Sequence, residues 1–327
     1  MEPLTLKVGF TLQDNLFMLK YIYFLFLTFP LFLFSQQESF FSLYRYNMNI
    51  VNPAFAGSEN ETTLSLTSRN QWISIENAPK TQVLIFSSPR KKNVGLGVSF
   101  ISNKFYVEDT SIAYVDFSYK LNLTDQTKLF FGLKGGASFF KADISSLIST
   151  NNVSDPAQKA VSSTRPNFGI GTLIKSKNYW ISFSIPRLFG NNNNNDIYTS
   201  SDRVHTYFSG GTNIKLTDDF ILKPSFISRK VEYLPMSHEI SINLDFKNNI
   251  QIGSFYRSNN RTGALLFISL KKFFDIGYAY ELNIDKNLSS LGINNHEIFL
   301  RVKFSGGSNQ SDNEAFSDIT SEEESGT

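Results

Sequence analysis

The stretch HEISINLDFK, residues 238–247, alternates apolar and polar side chains without a break. Apolar residues fill every second position from Ile240 to Phe246, and polar or charged residues fill the positions between them. Successive side chains of a β-strand point to opposite faces, so this pattern predicts a strand with one apolar and one polar face. The run is longer than the ~5–6 residues usual for strands of soluble proteins, and it matches the ~9–11 residues of a strand that crosses a membrane.

The same alternation recurs through the chain, for example in SIAYVDFSYKL (111–121) and FFDIGYAYEL (273–282). No convincing amphipathic helix interrupts it between residues 60 and 271, because apolar residues recur at two and not at three and four. The pattern predicts fourteen strands, at roughly 61–72, 80–88, 93–103, 107–121, 127–141, 164–175, 178–186, 203–217, 219–230, 236–247, 249–258, 262–271, 273–282 and 294–304, with ends uncertain by about two to four residues.

The connections between the predicted strands alternate in length. Tight turns, such as SKN at 176–178 and KNN at 247–249, alternate with long segments, such as 142–163 and 187–202. Outer-membrane barrels have short periplasmic turns and longer outer loops. We therefore expect an all-β, transmembrane, antiparallel outer-membrane barrel over residues 61–304, with both termini periplasmic. The competing interpretation, one or two soluble β-sandwiches, gives no reason for loop length to alternate.

Composition agrees with a membrane barrel. The 327 residues include 15% aromatic and only 18% charged residues, yet the mean hydropathy is −0.18. Cysteine is absent, which excludes disulfides, thiolate catalysis and cysteine-ligated metal sites. A slightly negative mean hydropathy is expected of barrel strands, in which apolar and polar residues alternate, and it is not expected of membrane helices. Aromatic residues near predicted strand ends are expected to form interfacial girdles: Trp72, Tyr106, Tyr179, Trp180, Tyr207 and Tyr256.

The N-terminus carries a leader. Residues 18–37, MLKYIYFLFLTFPLFLFSQQ, place a lysine before an apolar run from Tyr21 to Phe34 and a small residue, Ser35, after it. This is the pattern of a secretory signal peptide, and the run is too short for a membrane anchor. We expect residues 1–35 to be the signal peptide, Met18 to be the true start, and residues 36–60 to form a lead-in or plug segment.

The C-terminus divides at Phe304. The predicted last strand ends there on an aromatic residue, as in the signal that barrel-assembly machinery reads. Residues 305–327 contain six acidic residues and no basic ones, with little apolar content. Such a composition predicts a disordered acidic tail.

Two His-Glu pairs open predicted strands, His238-Glu239 and His296-Glu297. In a strand the two members of each pair point to opposite faces, His towards lipid and Glu towards the lumen. A metal site or an acid–base pair needs convergent side chains. We therefore expect no catalytic residue, no metal ligand and no cofactor, and an enzyme is disfavoured.

An ordered set of short motifs resembles the PorP/SprF family of the type IX secretion system of Bacteroidota. An Asn-Pro-Ala-aromatic-Ala-Gly element follows the leader, then come Arg-x-Gln-Trp, Pro-x-Thr, and a last strand that opens with His-Glu-Ile and ends here on an aromatic residue. The matching residues, together with that last aromatic, are Asn52, Pro53, Ala54, Gly57, Arg69, Gln71, Trp72, Pro79, Thr81, His296, Glu297 and Phe304.

The resemblance implies a non-enzymatic outer-membrane component of type IX secretion and gliding motility. It implies partners too: a periplasmic peptidoglycan-binding protein, and a secreted adhesin with a C-terminal sorting domain that the barrel docks or anchors. The alternative is a fatty-acid-channel-like barrel that transports small hydrophobic solutes. An outer-membrane lipase or protease is a third, weaker alternative.

Strand parity also makes predictions for the motif residues. Leu64 and Leu66 lie on the apolar face, so Arg69 and Gln71 should point into the lumen and Trp72 towards lipid. A buried arginine needs carboxylate or carbonyl partners. Three glutamates face the lumen by the same rule, Glu239, Glu281 and Glu297, and Glu297 is the expected partner of Arg69. We expect these residues to stabilise a plugged barrel.

Overall fold

The computed structural model describes residues 41–59, 61–73, 75–91, 93–143, 161–189, 203–232, 234–270, 273–284 and 294–304, without the side chains of 89–91. The predicted signal peptide, the start at Met18 and the predicted acidic tail lie outside the described residues. Within the described ranges, no helix is both long enough and apolar enough to cross a membrane.

The chain forms one antiparallel sheet that closes on itself. Neighbouring strands pair in chain order, the last strand pairs with the first, and β10 pairs with β11 to complete the ring. The strands are β1 (Thr62–Gln71), β2 (Lys80–Lys91), β3 (Val94–Phe105), β4 (Glu108–Asn122), β5 (Lys128–Ala142), β6 (Val161–Lys175), β7 (Tyr179–Arg187), β8 (His205–Thr212), β9 (Ile214–Lys215), β10 (Phe220–Val231), β11 (Ser237–Phe246), β12 (Ile250–Arg257), β13 (Arg261–Leu270), β14 (Phe274–Asn283) and β15 (Asn295–Phe304).

The predicted fourteen-stranded barrel is confirmed, with one strand divided. The run predicted at 203–217 is split into β8 and β9, and both pieces pair with β10 in a single register, Gly211 with Ser225 and Ile214 with Leu222. In that register Asn213, the residue between the two pieces, lies opposite Lys223. Asn213 has the same parity as the buried Tyr207 and Ser209, which places it on the inner face of the barrel.

Two further irregularities coincide with proline. The ladder between β2 and β3 shifts register between Ser88 and Lys91, around Pro89. The ladder between β7 and β8 shifts between Ser184 and Arg187, around Pro186. Proline is tolerated in sheets at such bulges.

The barrel closes through a regular seam between β1 and β15. Ten residue pairs run without a shift from Thr62 opposite Phe304 to Gln71 opposite Asn295. Arg69 of the first strand thereby lies opposite Glu297 of the last strand.

Side chains alternate between an exposed apolar outer face and a buried inner face. In β11, Ile240 and Ile242 are 59% and 51% exposed, whereas Ser241 and Asn243 between them are 3% and 2% exposed. The turns at 123–127, 176–178, 216–219 and 247–249 share one end of the barrel, called the turn end below. The segments 72–79, 106–107, 232–236 and 258–260 share the other, called the loop end.

Two of the predicted girdle aromatics face inwards instead. Trp180 shares the inner face of β7 with Ser182, and Tyr207 shares the inner face of β8 with Ser209. Both rings belong to an interior apolar cluster. Aromatic enrichment near strand ends says nothing about which face a ring occupies, and here the parity of each strand decides.

Candidate functional site

The interior of the barrel is occupied by the chain's own lead-in, of which residues 41–59 are described. The segment consists of three short helical pieces, at Tyr44–Tyr46, Met48–Val51 and Pro53–Phe55. Its side chains merge with inward-facing strand residues into apolar clusters, and Leu43, Ala54 and Ala56 are completely buried. Residues 41–59 thus form an ordered filling inside the barrel.

The loop-end part of the lumen holds a network of buried charges. Glu297 accepts hydrogen bonds from the backbone N–H groups of Ser42 (2.8 Å) and Leu43 (3.0 Å). Arg69 ion-pairs with Glu297 at 3.3 Å and with Glu281 at 3.0 Å, and its Nη1 also donates to the Ser42 hydroxyl. The first strand, the last strand and the lead-in therefore meet at one carboxylate, and the expected partnership of Arg69 and Glu297 is confirmed.

Two further arginines complete this network. Arg257 contacts Glu239 at 2.5 Å and Glu281 at 3.2 Å, and Arg261 contacts Glu281 at 2.7 Å. Three arginines thus face three glutamates, and each glutamate has at least one guanidinium against it. Desolvated charges are tolerated when they are paired and hydrogen-bonded in this way.

The middle of the lead-in is fixed by its aromatic pair. The Tyr44 hydroxyl is hydrogen-bonded to Ser225 (3.2 Å). The Tyr46 ring stacks on Phe267 with centroids 3.9 Å apart, and its hydroxyl donates to Gln251 (2.7 Å). The tyrosines thus hold the lead-in to strands β10, β12 and β13 on one side of the lumen.

Arg45, between those tyrosines, points to the gap between β8 and β9. Its guanidinium donates to the Asn213 side-chain oxygen (3.2 Å) and to the Lys223 carbonyl (3.2 Å). Asn213, the residue that interrupts the strand, is therefore bonded to the lead-in.

The Asn-Pro-Ala-Phe-Ala-Gly element forms the turn-end floor of the lumen. The Asn52 side chain accepts the Ala54 N–H (2.9 Å), which caps the helical turn that begins at Pro53, and its amide donates to the Thr172 carbonyl (3.1 Å). Asparagine suits the first role and proline the position after it. Gly57 then adopts a φ of +58°, a left-handed conformation that glycine accommodates without steric cost.

The barrel wall that contacts this floor has glycine at the points of closest approach. A Cβ on Gly132 of β5 would overlap the backbone nitrogen of Ala54, and a Cβ on Gly171 of β6 would overlap the Asn52 side chain. These glycines permit the close approach of the lead-in backbone. This part of the floor is therefore fitted to strands β5 and β6.

A second buried ion pair, on strands β4 and β5, contacts the backbone of the lead-in. Lys134 of β5 and Asp116 of β4 lie 2.6 Å apart at 0% and 1% side-chain exposure. The Lys134 ammonium also donates to the Asn49 carbonyl (3.1 Å) and stands over the Tyr114 ring. Its three kinds of partner are thus a carboxylate, the lead-in backbone and an aromatic face.

The motif residues between Gln71 and Thr81 lie at the loop end, whereas Phe304 ends β15 at the turn end and is 47% exposed. Gln71 ends β1 and donates its backbone N–H to the Pro79 carbonyl (3.0 Å), while Thr81 is buried opposite Arg69 in the β1–β2 register. Trp72 follows the strand with a φ of +51°, and its ring packs edge-on against Phe105. Strand parity therefore does not carry over to Trp72, and its placement towards lipid stays a prediction.

The two His-Glu pairs diverge as expected. Glu239 and Glu297 are 1% exposed inside the lumen, whereas His238 and His296 lie on the outer face. The His296 ring nitrogen contacts the Tyr278 hydroxyl at 2.7 Å. No group of three or more potential metal ligands occurs among the described residues.

Several residues of the site were not identified from the sequence, namely Arg257, Arg261, Lys134, Asp116, Gly132 and Gly171. Strand parity could have found the charged ones, because each lies on the inner face of an alternating run. The site as a whole consists of fixed ion pairs and backbone hydrogen bonds, and such an arrangement holds a segment in place.

Comparison with known proteins places these features in context. The family model described as "Type IX secretion system membrane protein PorP/SprF" matches residues 33–302. No curated protein matches the sequence.

Three similar solved structures are outer-membrane or channel proteins of low identity. Omp33 of Acinetobacter baumannii is 11% identical with a TM-score of 0.46, covering 76% of this chain and 100% of that chain. A FadL homologue of Pseudomonas aeruginosa is 11% identical with a TM-score of 0.45, covering 77% and 92%. The monoaromatic hydrocarbon channel CymD is 10% identical with a TM-score of 0.43, covering 77% and 90%.

Proposed function

Because this chain belongs to the PorP/SprF family of type IX secretion system membrane proteins, we propose that it docks or anchors a secreted surface adhesin at the outer membrane. The observation that carries the proposal beyond the family is the filled lumen. The lead-in occupies it from the charge network at the loop end to the floor at the turn end. A barrel filled by its own chain is suited to present rigid outer surfaces.

The proposal assigns different partners to the two ends of the barrel. The loop end faces the cell exterior and receives the adhesin through its C-terminal sorting domain. The turn end, with both chain termini, faces the periplasm and contacts a peptidoglycan-binding partner. Burial of the charged and polar groups in the lumen leaves these two ends and the lipid face as the surfaces on which partners bind, and no catalytic step is assigned.

Deletion of the gene tests the anchoring role. We expect the adhesin encoded beside it to be lost from the cell surface, as measured by surface proteolysis and fractionation of the deletion strain. Complementation with the wild-type gene should restore the adhesin. Normal surface display in the deletion strain would count decisively against the proposal.

The assigned orientation is tested by cysteine labelling, which the cysteine-free chain permits. Glu76→Cys lies in the loop-end segment 72–79, and Asp218→Cys lies in the turn 216–219 with an almost fully exposed side chain. A membrane-impermeant maleimide should label Glu76→Cys in intact cells and Asp218→Cys only after the outer membrane is permeabilised. The reverse pattern would invert the assignment of partners to ends.

Conductance separates anchoring from transport. The purified protein in a planar bilayer should show no steady ion current, because the lumen is filled. A stable, solute-selective conductance of the wild-type protein would favour the fatty-acid-channel-like alternative.

A further inference from the structure

The outer face of the barrel carries a row of polar side chains beside the closing seam. Lys80 begins β2, Lys104 precedes the last residue of β3, and His296 is the second residue of β15. Tyr280 of β14 and Asn70 of β1 lie at the same end of the barrel, the loop end. These five residues are called the seam row, and each has the parity of an exposed outer-face residue on its own strand: Tyr278, Ile298, Leu66, Leu84 and Phe100.

Strand register makes the seam row continuous. His296 lies opposite Tyr280 on one side and opposite Asn70 on the other. Lys80 lies opposite Asn70 and opposite Lys104. Neighbouring strands are about 4.8 Å apart, so the row extends about 19 Å around the barrel.

Three polar groups of the seam row have no partner among the described residues. No ion pair or hydrogen bond joins the Lys80 ammonium, the Asn70 side chain or the Nε2 atom of His296 to that part of the chain. The Lys104 ammonium has one carboxylate near it, that of the exposed Asp109 at 3.6 Å. Lys80 and Lys104 are like charges in directly opposed positions, and such a pair is destabilising without a counter-charge.

No carboxylate offsets these charges on the outer face of the same strands. The acidic residues of β14, β15, β1, β2 and β3 are Asp275, Glu281 and Glu297, and all three are buried on the inner face. Glu76 lies beyond the strands, in the segment 72–79. The seam row is therefore a positive strip on the outer face, and it is complementary to an anionic group.

Two further outer-face rows follow the seam row towards the middle of the barrel wall. The first is neutral and polar, and on β1, β2 and β3 it consists of Ser68, Gln82 and Ser102. The second is apolar and exposed, and on the same strands it consists of Leu66, Leu84 and Phe100. Cations, then amide and hydroxyl groups, then hydrocarbon is the order that matches the phosphate, sugar and acyl chains of a phosphorylated glycolipid.

The opposite arc of the loop end is built differently. Lys230 of β10 also lies on the outer face, but its ammonium donates to the Leu234 carbonyl (2.8 Å). The His238 ring nitrogen contacts the Ser228 hydroxyl, and the next outer-face residue on that strand is Ile240, which is 59% exposed. This arc therefore lacks both features of the seam side, the unpartnered ammonium and the neutral second row.

We propose that the seam row binds the phosphate group of a phosphorylated glycolipid, a headgroup of the lipid A type, in the leaflet next to the loop end. Lys80 and Lys104 bind the phosphate, Asn70 and Gln82 hydrogen-bond to the sugar, and the acyl chains cover the apolar row. The bound lipid thereby contacts both strands of the closing seam, since His296 lies on the last strand and Asn70 on the first. The choice of leaflet rests on the orientation given under the proposed function, whereas the binding chemistry does not depend on it.

Titration of the purified protein with lipid A, followed by native mass spectrometry in detergent, tests the site. We expect Lys80→Gln/Lys104→Gln to weaken lipid A binding about tenfold, because lysines near an anionic lipid surface each contribute to affinity. The matched variant Lys230→Gln, which removes an outer-face lysine from the opposite arc, should bind as tightly as the wild type. Urea unfolding in lipid vesicles verifies that each variant is folded.

Two other lipids decide what the seam row recognises. Lipid A without its phosphate should bind more weakly, and it should no longer distinguish the wild type from Lys80→Gln/Lys104→Gln. Phosphatidylglycerol, which has a phosphate but no sugar, should bind about threefold or more weaker than lipid A, because it lacks the hydrogen bonds to the neutral row. Equal binding of lipid A by the wild type and by Lys80→Gln/Lys104→Gln would overturn the proposal, and equal affinity for phosphatidylglycerol would overturn the assignment to a glycolipid.

These outcomes are distinguishable from those of the anchoring experiments. Normal surface display of the adhesin in the deletion strain would refute anchoring and would leave the lipid titration unchanged. Reversed maleimide labelling would place the seam row in the periplasmic leaflet, and this would overturn lipid A as its ligand in the cell whatever the titration shows.

Discussion

Arg69 on the first strand and Glu297 on the last strand lie opposite each other in the closing seam and are joined by a 3.3 Å ion pair inside the lumen. Glu297 also accepts the N–H groups of Ser42 and Leu43. Closure of the barrel and placement of the lead-in are therefore coupled through one carboxylate.

Glu297→Gln should weaken this coupling without changing the shape of the side chain. The variant removes one negative charge from a buried network of three arginines and three glutamates, and Arg69 keeps only Glu281 as an ionic partner. We expect the free energy of unfolding to fall by about 2–4 kcal/mol, because breaking a buried pair leaves a charge uncompensated. Urea unfolding of the protein in lipid vesicles measures the loss.

Glu59→Gln is the matched control for that variant. Glu59 also pairs with an arginine, Arg301, but its side chain is 50% exposed. Its replacement should cost less than about 1 kcal/mol, as for other solvent-screened pairs. Equal losses in the two variants would show that Glu297 does not couple the seam to the lead-in.

Gly132→Ala should displace the turn-end floor of the lead-in. The added methyl group overlaps the Ala54 backbone, which has little room to move, and overpacking of this kind typically costs about 1–3 kcal/mol. Trp180 reports the displacement, because its ring packs edge-on against Phe55 with centroids 5.6 Å apart. In a Trp72→Phe background, the emission of Trp180 should shift in the Gly132→Ala variant.

Gly135→Ala provides the control within the same strand. A Cβ at Gly135 has no heavy atom within 4 Å, so neither the emission nor the stability should change measurably. If the two glycines respond alike, the lead-in is not seated against Gly132.

Much of this architecture could be predicted from period-two alternation. A membrane strand must keep one face apolar over ten residues or so, and the signal is correspondingly long. The same parity placed Arg69 and Glu297 inside and His296 outside without any knowledge of the contacts. Parity would also have placed Trp180 on the inner face of β7, where it lies. The general preference of aromatic residues for the membrane interface placed it wrongly.

The contacts of the lead-in could not be predicted in the same way. Asn52 is bonded to the carbonyl of Thr172, and Ser42 to Glu297, across 120 and 255 residues of sequence. Alternation defines faces but carries no information about which part of the lumen wall a segment touches. In the sequence alone, Gly132 and Gly171 are residues of low strand propensity. Only the structure shows that the lead-in packs against them.

The outer-face histidines should prove dispensable. His296 contacts Tyr278, and His238 contacts the Ser228 hydroxyl at 2.9 Å, both on the outer face. His296→Gln and His238→Gln should each change the free energy of unfolding by less than about 1 kcal/mol, as expected for surface substitutions and single net hydrogen bonds. Neither EDTA nor added zinc should shift the wild-type unfolding midpoint; a zinc-dependent stabilisation lost in either variant would contradict this expectation.

The pair Lys134 and Asp116 allows the value of a buried lumenal charge to be measured directly. Lys134→Met leaves the Asp116 carboxylate buried without its cation, and we expect a loss of about 3–5 kcal/mol. Asp116→Asn should cost less, because Lys134 keeps the Asn49 carbonyl and the Tyr114 ring.

The double variant Lys134→Met/Asp116→Asn removes both charges together and should regain most of the loss, since replacing a buried pair by neutral groups is often tolerated. Unfolding of the four proteins in a double-mutant cycle then gives a coupling of roughly 2 kcal/mol or more. The pair Lys104 and Asp109 supplies the comparison, because its members are likewise directly opposed on neighbouring strands, here β3 and β4, but lie 3.6 Å apart at 68% and 44% exposure. Its coupling should stay below about 1 kcal/mol. If the two cycles give the same small coupling, water reaches Lys134, and the lumen is not filled as tightly as the contacts of the lead-in require.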